Sequence, residues 1–152
     1  MCFVSITRLR VRSWRYLPMF YWFSMRSVRQ AAKSEGNLAT VLLADRHNTF
    51  WTVTAWTSDA ATKAFMLAGV HRRVMRKLPQ WCDEAAVVHW FQDGNELPTW
   101  REAWQRLLSE GRRSKVNHPS SAHVAHDLPE PVVRPGAERS FRSRTPTERR
   151  RQ

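Results

Sequence analysis

Acidic side chains, glycine and long hydrophobic runs are all scarce in this 152-residue sequence. Thirteen Asp and Glu residues stand against 25 Lys and Arg, which gives a formal net charge of +12. The acidic residues before position 111 fall mostly at the ends of predicted elements, so no pair of carboxylates is placed for acid–base catalysis. The five glycines form no phosphate-binding loop, and no nucleophile elbow occurs.

Cysteine is nearly absent, with only Cys2 and Cys82. They show no metal-ligand spacing, so no metal site is expected. Two thiols without a clear secretory signal indicate a reducing, cytoplasmic environment. The apolar run over residues 16–25 is too short to cross a bilayer. A predicted strand precedes that run and no small-residue cleavage site follows it, which also argues against a signal peptide.

Tryptophan is absent after Trp104, and residues 111–152 contain a single aromatic residue, Phe141. This segment is basic, rich in proline and arginine, and without amphipathic periodicity. Such a composition buries too little apolar surface to offset the entropy of ordering. The sequence therefore predicts one domain over residues 1–110, followed by a disordered tail over residues 111–152.

The positive charge divides equally between these two parts. Lys and Arg minus Asp and Glu gives 15 − 9 = +6 for residues 1–110 and 10 − 4 = +6 for residues 111–152. A basic tail either keeps a protein soluble or makes nonspecific contact with nucleic acid or an anionic membrane. No specific nucleic-acid partner and no membrane span are expected.

Hydrophobic periodicity predicts seven elements. Strands are predicted at 2–12, 37–45, 49–57 and 84–92, and helices at 16–33, 58–78 with a bend at Gly69, and 98–110. Two strand–helix–strand units around a central hairpin predict a ferredoxin-like βαββαβ domain of the α+β class, with an appended C-terminal helix. Both main helices then lie on one face of the sheet.

The opposite face of such a sheet needs a partner or a ligand. RNA-binding domains of this topology carry a Gly- and Arg-rich central strand, which the strand 49–57 lacks. In dimeric α+β barrels, two sheets close on each other instead. Alternation places Thr52, Thr54 and Trp56 on one face of this strand, and we expect that face to be the open one. The arrangement predicts a two-fold symmetric homodimer.

The stretch from Thr49 to Met75 resembles the antibiotic-biosynthesis monooxygenase superfamily. The matching positions are a strand ending in Trp-x-Ser and a helix that opens with an acidic residue, namely Trp56, Ser58, Asp59, Ala61, Phe65 and His71. The stretch from Gly69 to Trp90 is similar to bacterial proteins of unassigned function in that superfamily. A weaker similarity is to spheroidene monooxygenase.

This resemblance implies a homodimer with a hydrophobic pocket between sheet and helices. Some members oxidise aromatic polyketides with molecular oxygen and no prosthetic group, others bind haem, and others only bind ligands. The expected function is monooxygenase-like oxidation of an aromatic or polyene molecule, with oxygen as co-substrate. The alternative is a non-catalytic small-molecule-binding or interaction protein on the same scaffold.

Two histidines and five further side chains are the candidate site residues. The predicted catalytic groups are His71 and His89, and the predicted substrate-binding groups are Thr52, Thr54, Trp56, Trp22 and Phe65. Four of them have a plainer explanation. His71 also suits an ordinary helix surface and His89 a packed strand. Trp56 also suits core or dimer-interface packing, and Trp22 a dimer contact.

Haem is not expected to be an obligatory cofactor. Alignment of Trp56-x-Ser58 with the haem-degrading branch of the superfamily puts Met75 where that branch has its haem-ligating histidine. His71 lies one turn earlier and points along a neighbouring line of the helix.

Overall fold

The structure is a computed structural model that describes residues 1–141. Its strands are β1 (Cys2–Val11), β2 (Asn37–Ala44), β3 (Thr49–Trp56), β4 (Cys82–Gln92), β5 (Arg112–Arg113) and β6 (Glu138–Phe141). Its helices are α1 (Leu17–Lys33), α2 (Asp59–Met66), α3 (Gly69–Trp81), α4 (Trp100–Glu110) and α5 (Ser121–Ala125), with a 3₁₀ turn at Trp14–Tyr16. The strands form one antiparallel sheet in the order β5-β4-β1-β3-β2-β6. The predicted ferredoxin-like α+β fold is confirmed.

Strand alternation divides the sheet into two chemically different faces. On the first, the register aligns Thr7 of β1 with Thr52 of β3 and Val87 of β4. On the second, Ile6 is aligned with Val53 and Val88. We call these the hydroxyl face and the apolar face. The hydroxyl face lies beneath α1, α2 and α3, whereas the apolar face lies beneath α4 and the segment that follows it.

The expectation that the threonine-bearing face is the open one was wrong. That face lies against the main helices, and its hydroxyl groups are tolerated there because a cavity separates them from the helices. The apolar face is covered within the same chain, since Ala103 and Leu107 of α4 and Leu128 are all buried against it. The predicted homodimer stays a prediction, and closing two apolar faces into a barrel would require α4 to move away.

The predicted helix 58–78 is two helices, separated at Leu67 and Ala68. Gly69 has φ +55° and lies against the side chain of Gln30 from α1, where a Cβ atom would come within 3.0 Å of the amide oxygen. The Gln30 amide donates to the Ala68 carbonyl (2.9 Å) and accepts from the His71 backbone N–H (3.1 Å). These two hydrogen bonds of Gln30 therefore fix the start of α3 against α1. The helix was predicted to end at residue 78, but α3 continues to Trp81 with Pro79 inside it.

The prediction of a disordered tail from residue 111 was wrong for residues 111–141. β5 pairs with β4, and β6 pairs with β2 at the other edge of the sheet. Between them, the Trp104 indole N–H donates to the Leu128 carbonyl oxygen at 2.6 Å, and Leu128 is buried. Backbone pairing and a few buried residues order the segment. The prediction of disorder was based on average composition, which takes neither into account. The last part of the predicted tail, residues 142–152, lies outside the described residues.

A buried ion pair joins β1 to β4 on the apolar face. Arg8 Nη1 lies 2.7 Å from Glu84 Oε2, with both side chains almost fully buried. Arg10 lies 3.0 Å from the other oxygen of Glu84, which also accepts a hydrogen bond from the Ser120 hydroxyl at 2.8 Å. Burial opposes ionisation of Glu84, but the bonds from Arg8 and Ser120 and the two arginine charges outweigh it. The pKa of Glu84 therefore lies below its usual value.

Candidate ligand-binding cavity

A cavity of about 330 Å³ lies between the hydroxyl face of the sheet and helices α1, α2 and α3. This size is within the usual range for small-molecule sites. Its apolar lining comes from the sheet and all three helices and includes Leu9, Phe20, Val28, Phe50, Val74 and Leu78. Its polar lining is mainly hydroxyl groups, among them Ser5, Thr7, Thr40, Thr52, Thr54 and Thr62. Among residues 1–141, no carboxylate lines it.

Five of the seven predicted site residues line this cavity: Thr52, Thr54, Phe65, His71 and His89. The other two do not. Trp56 is fully buried at the end of β3, where its ring stacks on Phe65 with 5.2 Å between centroids. Trp22 is half exposed on the outer side of α1 and makes an edge contact with Phe23. Helical spacing predicts which face a residue occupies, but only the packing of α1 on the sheet decides which face borders the cavity.

His71 is held in one orientation at the start of α3. Its ring lies 4.4 Å from the Phe65 ring between centroids, and Nδ1 lies 3.3 Å from the Met66 carbonyl oxygen. A carbonyl only accepts hydrogen bonds, so this contact places the proton on Nδ1 and leaves the Nε2 lone pair for a ligand. Burial lowers the pKa of His71, against a smaller opposite effect of the Met66 carbonyl. His71 is thus a neutral base at pH 7.

His89 reaches the cavity from the sheet. Its ring stacks on Phe3 of β1 at 5.5 Å between centroids, and its Nδ1 atom is buried without a hydrogen-bond partner among the described residues. Burial, and to a smaller extent the charge of Arg112, lowers the pKa of His89. The two histidines are therefore both neutral at pH 7, one contributed by α3 and one by β4.

Sequence reasoning missed the side chains that the C-terminal segment contributes to the cavity. Arg112, Ser114 and Lys115 line it, although they lie in the segment predicted to be disordered. β5 is only two residues long, which is too short for any strand pattern to be recognised. Their position depends on the pairing of β5 with β4.

The burial of His71 predicts a loss of stability at mildly acidic pH. The unfolded chain takes up a proton near the ordinary pKa of 6.5, whereas the folded chain does so only at lower pH. Stability is thus complete above pH 6.5 and falls as the pH drops below it, by at most about 1.4 kcal/mol per pH unit for one proton. His71→Asn keeps a donor for Met66 and should reduce this slope in thermal unfolding between pH 7.5 and 5.5.

The matched control is His47→Asn, in the turn between β2 and β3. His47 is exposed and has φ +56°, a conformation that Asn tolerates well. This variant should follow the wild-type pH profile. An unchanged slope in His71→Asn would show that His71 does not carry the acid sensitivity.

Among residues 1–141, no three or more His, Cys, Asp and Glu side chains are grouped to hold a metal ion. Met75, at the position that the resemblance aligns with a haem-ligating histidine, lines the cavity together with His71. The prediction that haem is not obligatory stays a prediction. No helix of this part of the chain is long and apolar enough to cross a membrane.

Several solved structures share this fold, among them an oxygenase and an antibiotic biosynthesis monooxygenase. One is a mutant of SnoaB, a cofactor-independent oxygenase from Streptomyces nogalater, at 14% identity and a TM-score of 0.52, covering 62% of this chain and 95% of that one. An antibiotic biosynthesis monooxygenase matches at 15% identity and a TM-score of 0.54, covering 62% of this chain and 100% of that one. Rv0793 from Mycobacterium tuberculosis matches at 9% identity and a TM-score of 0.56, covering 62% and 98%. The predicted resemblance to this superfamily is confirmed at the level of the fold.

The sequence comparisons point to a narrower family. None of the curated proteins matches the sequence, and the predicted similarity to spheroidene monooxygenase is unsupported. A family described as a domain of unknown function, DUF3291, matches residues 23–114. The match runs from α1 through α4 and β5, and therefore includes the helices over the cavity and Arg112. Because it covers more than half of the sequence, the chain belongs to the DUF3291 family.

Proposed function

We propose that this protein binds an aromatic or polyene small molecule in the cavity and oxidises it with molecular oxygen, without an obligatory cofactor. The observation that carries the proposal is the pairing of an apolar cavity with a neutral, oriented base, His71. The similarity in fold to a cofactor-independent oxygenase and to an antibiotic biosynthesis monooxygenase supports it.

His71 would act as the general base. Without a prosthetic group, the substrate itself must supply the electrons that reduce oxygen, so it must first become electron-rich. Removal of an acidic proton from a phenol or an activated methylene group does this. His71 is suited to the role because burial lowers its pKa and the Met66 carbonyl leaves Nε2 available. His89 is the second candidate for moving a proton, on the opposite wall.

The net reaction balances without a further reductant. An activated methylene group and O₂ give a ketone and water: two hydrogens leave carbon, one oxygen atom enters it, and the other leaves as water. The four electrons that carbon loses are those that O₂ gains. The cavity contributes by holding the substrate and oxygen together away from bulk water.

This proposal predicts turnover of an anthrone-type probe. We expect 1,8-dihydroxyanthrone to cause oxygen uptake in an oxygen electrode and to be converted to the corresponding quinone. His71→Asn should lower kcat by about 100-fold, because general-base catalysis contributes at least that much. His47→Asn, which changes an exposed histidine outside the cavity, should keep wild-type kcat.

Two results would contradict the proposal. Equal rates in wild type and His71→Asn would remove His71 from the reaction. Tight binding of aromatic probes without oxygen uptake would instead favour a non-catalytic small-molecule-binding protein.

The cysteines support the proposal of a cytoplasmic location. Cys2 and Cys82 are both buried and form no disulfide. Burial, reinforced by the charge of Asp83, raises the pKa of the Cys82 thiol to about 12. A thiol with such a pKa is a poor nucleophile, so we assign it to packing.

A further inference from the structure

The cavity carries a charge asymmetry that oxidation of a neutral substrate does not require. Of the residues that the structure describes, two cationic side chains, Arg112 and Lys115, line the cavity, and no carboxylate does. Both histidines of the lining are neutral at pH 7, because burial lowers the pKa of each. The cavity is therefore apolar over most of its surface and positively charged at one place.

The backbone holds this charge in position at the edge of the sheet. Arg112 is paired with Val87 of β4, whose side chain also lines the cavity. Two residues later, the Ser114 N–H donates to the Ala85 carbonyl oxygen at 2.8 Å. Arg112 is close enough to His89 for its charge to lower the pKa of that imidazole. Both cations thus lie at the β4 side of the cavity, and Arg112 is the one near His89.

Within residues 1–141, neither cation has a protein partner. Arg112 and Lys115 form no side-chain hydrogen bond and no ion pair there, and both are exposed. The carboxylate of Glu84 on β4 is not available to them, because it forms ion pairs with Arg8 and Arg10. Arg113, on the other side of β5, contrasts with them because it donates to the Val124 carbonyl oxygen.

We propose that the cavity binds an amphipathic organic acid, with its aromatic or polyene body among the apolar side chains and its carboxylate at Arg112, Lys115 and the Ser114 hydroxyl. This inference rests on the proposed small-molecule binding and names its substrate class. This arrangement limits the desolvation cost of binding, because the apolar body is buried while the carboxylate stays at the exposed rim and keeps part of its hydration. It also fixes which end of the molecule faces His89.

The test compares an acid with an uncharged analogue of the same shape. We expect 2-naphthylacetate to bind full-length protein about tenfold more tightly than 2-naphthylacetamide in isothermal titration calorimetry at pH 7.5. An exposed ion pair contributes at most about fivefold in affinity, so two of them account for this ratio. Raising the salt from 50 to 500 mM should reduce the preference for the acid and leave amide binding nearly unchanged.

Substitutions of the two cations test whether the preference for the acid arises at the proposed carboxylate site. Arg112→Gln and Lys115→Gln should each reduce the preference for the acid several-fold. The control Arg73→Gln removes the same charge from the exposed surface of α3, outside the cavity, and should keep the preference. Thermal unfolding of each variant verifies that it is folded. The salt dependence is measured on the wild-type protein, so it tests the inference even if a variant fails to fold.

The outcomes separate this inference from the proposed function. Equal affinities for acid and amide, or a preference that survives Arg112→Gln with Lys115→Gln, would overturn the carboxylate site and leave apolar binding intact. If Arg73→Gln lost the preference for the acid equally, general electrostatic attraction would explain the preference, and the carboxylate site would again be overturned. Binding of neither probe would overturn both the carboxylate site and the proposed binding cavity.

Discussion

A chain that ends at Gly111 is expected to lose at least about 3 kcal/mol of folding free energy relative to one that ends at Phe141. The shorter chain lacks Leu128, and burial of one leucine in a core is worth about 2–5 kcal/mol. It also lacks the partner of the Trp104 indole and both outer strands of the sheet. A loss of this size is a large fraction of the stability of a typical domain. Urea unfolding of the two chains measures it.

The chain that ends at Phe141 is the matched control, because it retains every contact described above. Leu128→Ala provides a second, milder variant that keeps the hydrogen bond from Trp104 to the backbone of residue 128. It should cost about 2–3 kcal/mol. Equal unfolding midpoints for the chains ending at Gly111 and at Phe141 would show that the segment does not cover the apolar face.

Glu84→Gln is expected to destabilise the protein by about 3 kcal/mol. The substitution keeps the shape of the side chain but removes the charge that neutralises Arg8, whose side chain is only 4% exposed. Removing one partner of a buried ion pair leaves the other as an uncompensated charge, which is costly. Arg8 has few alternatives, since its Nε atom is buried and already without a partner among the described residues. Chemical denaturation at pH 7 provides the measurement.

The double variant Arg8→Met with Glu84→Leu tests this explanation. Replacing a buried pair by apolar side chains is often neutral or stabilising, so the double variant should recover most of the loss. Glu102→Gln, which removes one member of an exposed i,i+4 pair with Arg106 on α4, serves as control and should cost less than about 1 kcal/mol. A Glu84→Gln variant as stable as this control would mean that Arg8 reaches water.

Local sequence patterns were sufficient to predict the fold. The alternation in β1 and β3, the helical periodicity of α1 and the hairpin between β2 and β3 all arise within short segments, where the period of apolar residues reflects which side is buried. The order of these elements then limits the topology to few arrangements. Alternation along β3 also predicted that Thr52 and Thr54 share one face, whereas His71 was predicted from the resemblance to the monooxygenase superfamily.

Which face of the sheet each helix covers was not contained in those patterns. Thr52 and Thr54 belong to the helix-covered face because α4 and Leu128 bury the more apolar side, and this depends on contacts between residues far apart in the chain. Trp56 and Trp22 show the same limit. Trp56 is buried against Phe65, and Trp22 lies on the side of α1 that faces away from the cavity.

The sequence by itself determined the four central strands, the helices between and after them, the order of these elements, and His71, Thr52 and Thr54 as candidate site residues. Only the tertiary structure decided that residues 111–141 belong to the domain and that Arg112 and Lys115 reach the cavity. The physical reason is that a two-residue strand has no periodicity of its own. Its order comes from the hydrogen bonds and the buried leucine that the rest of the fold provides.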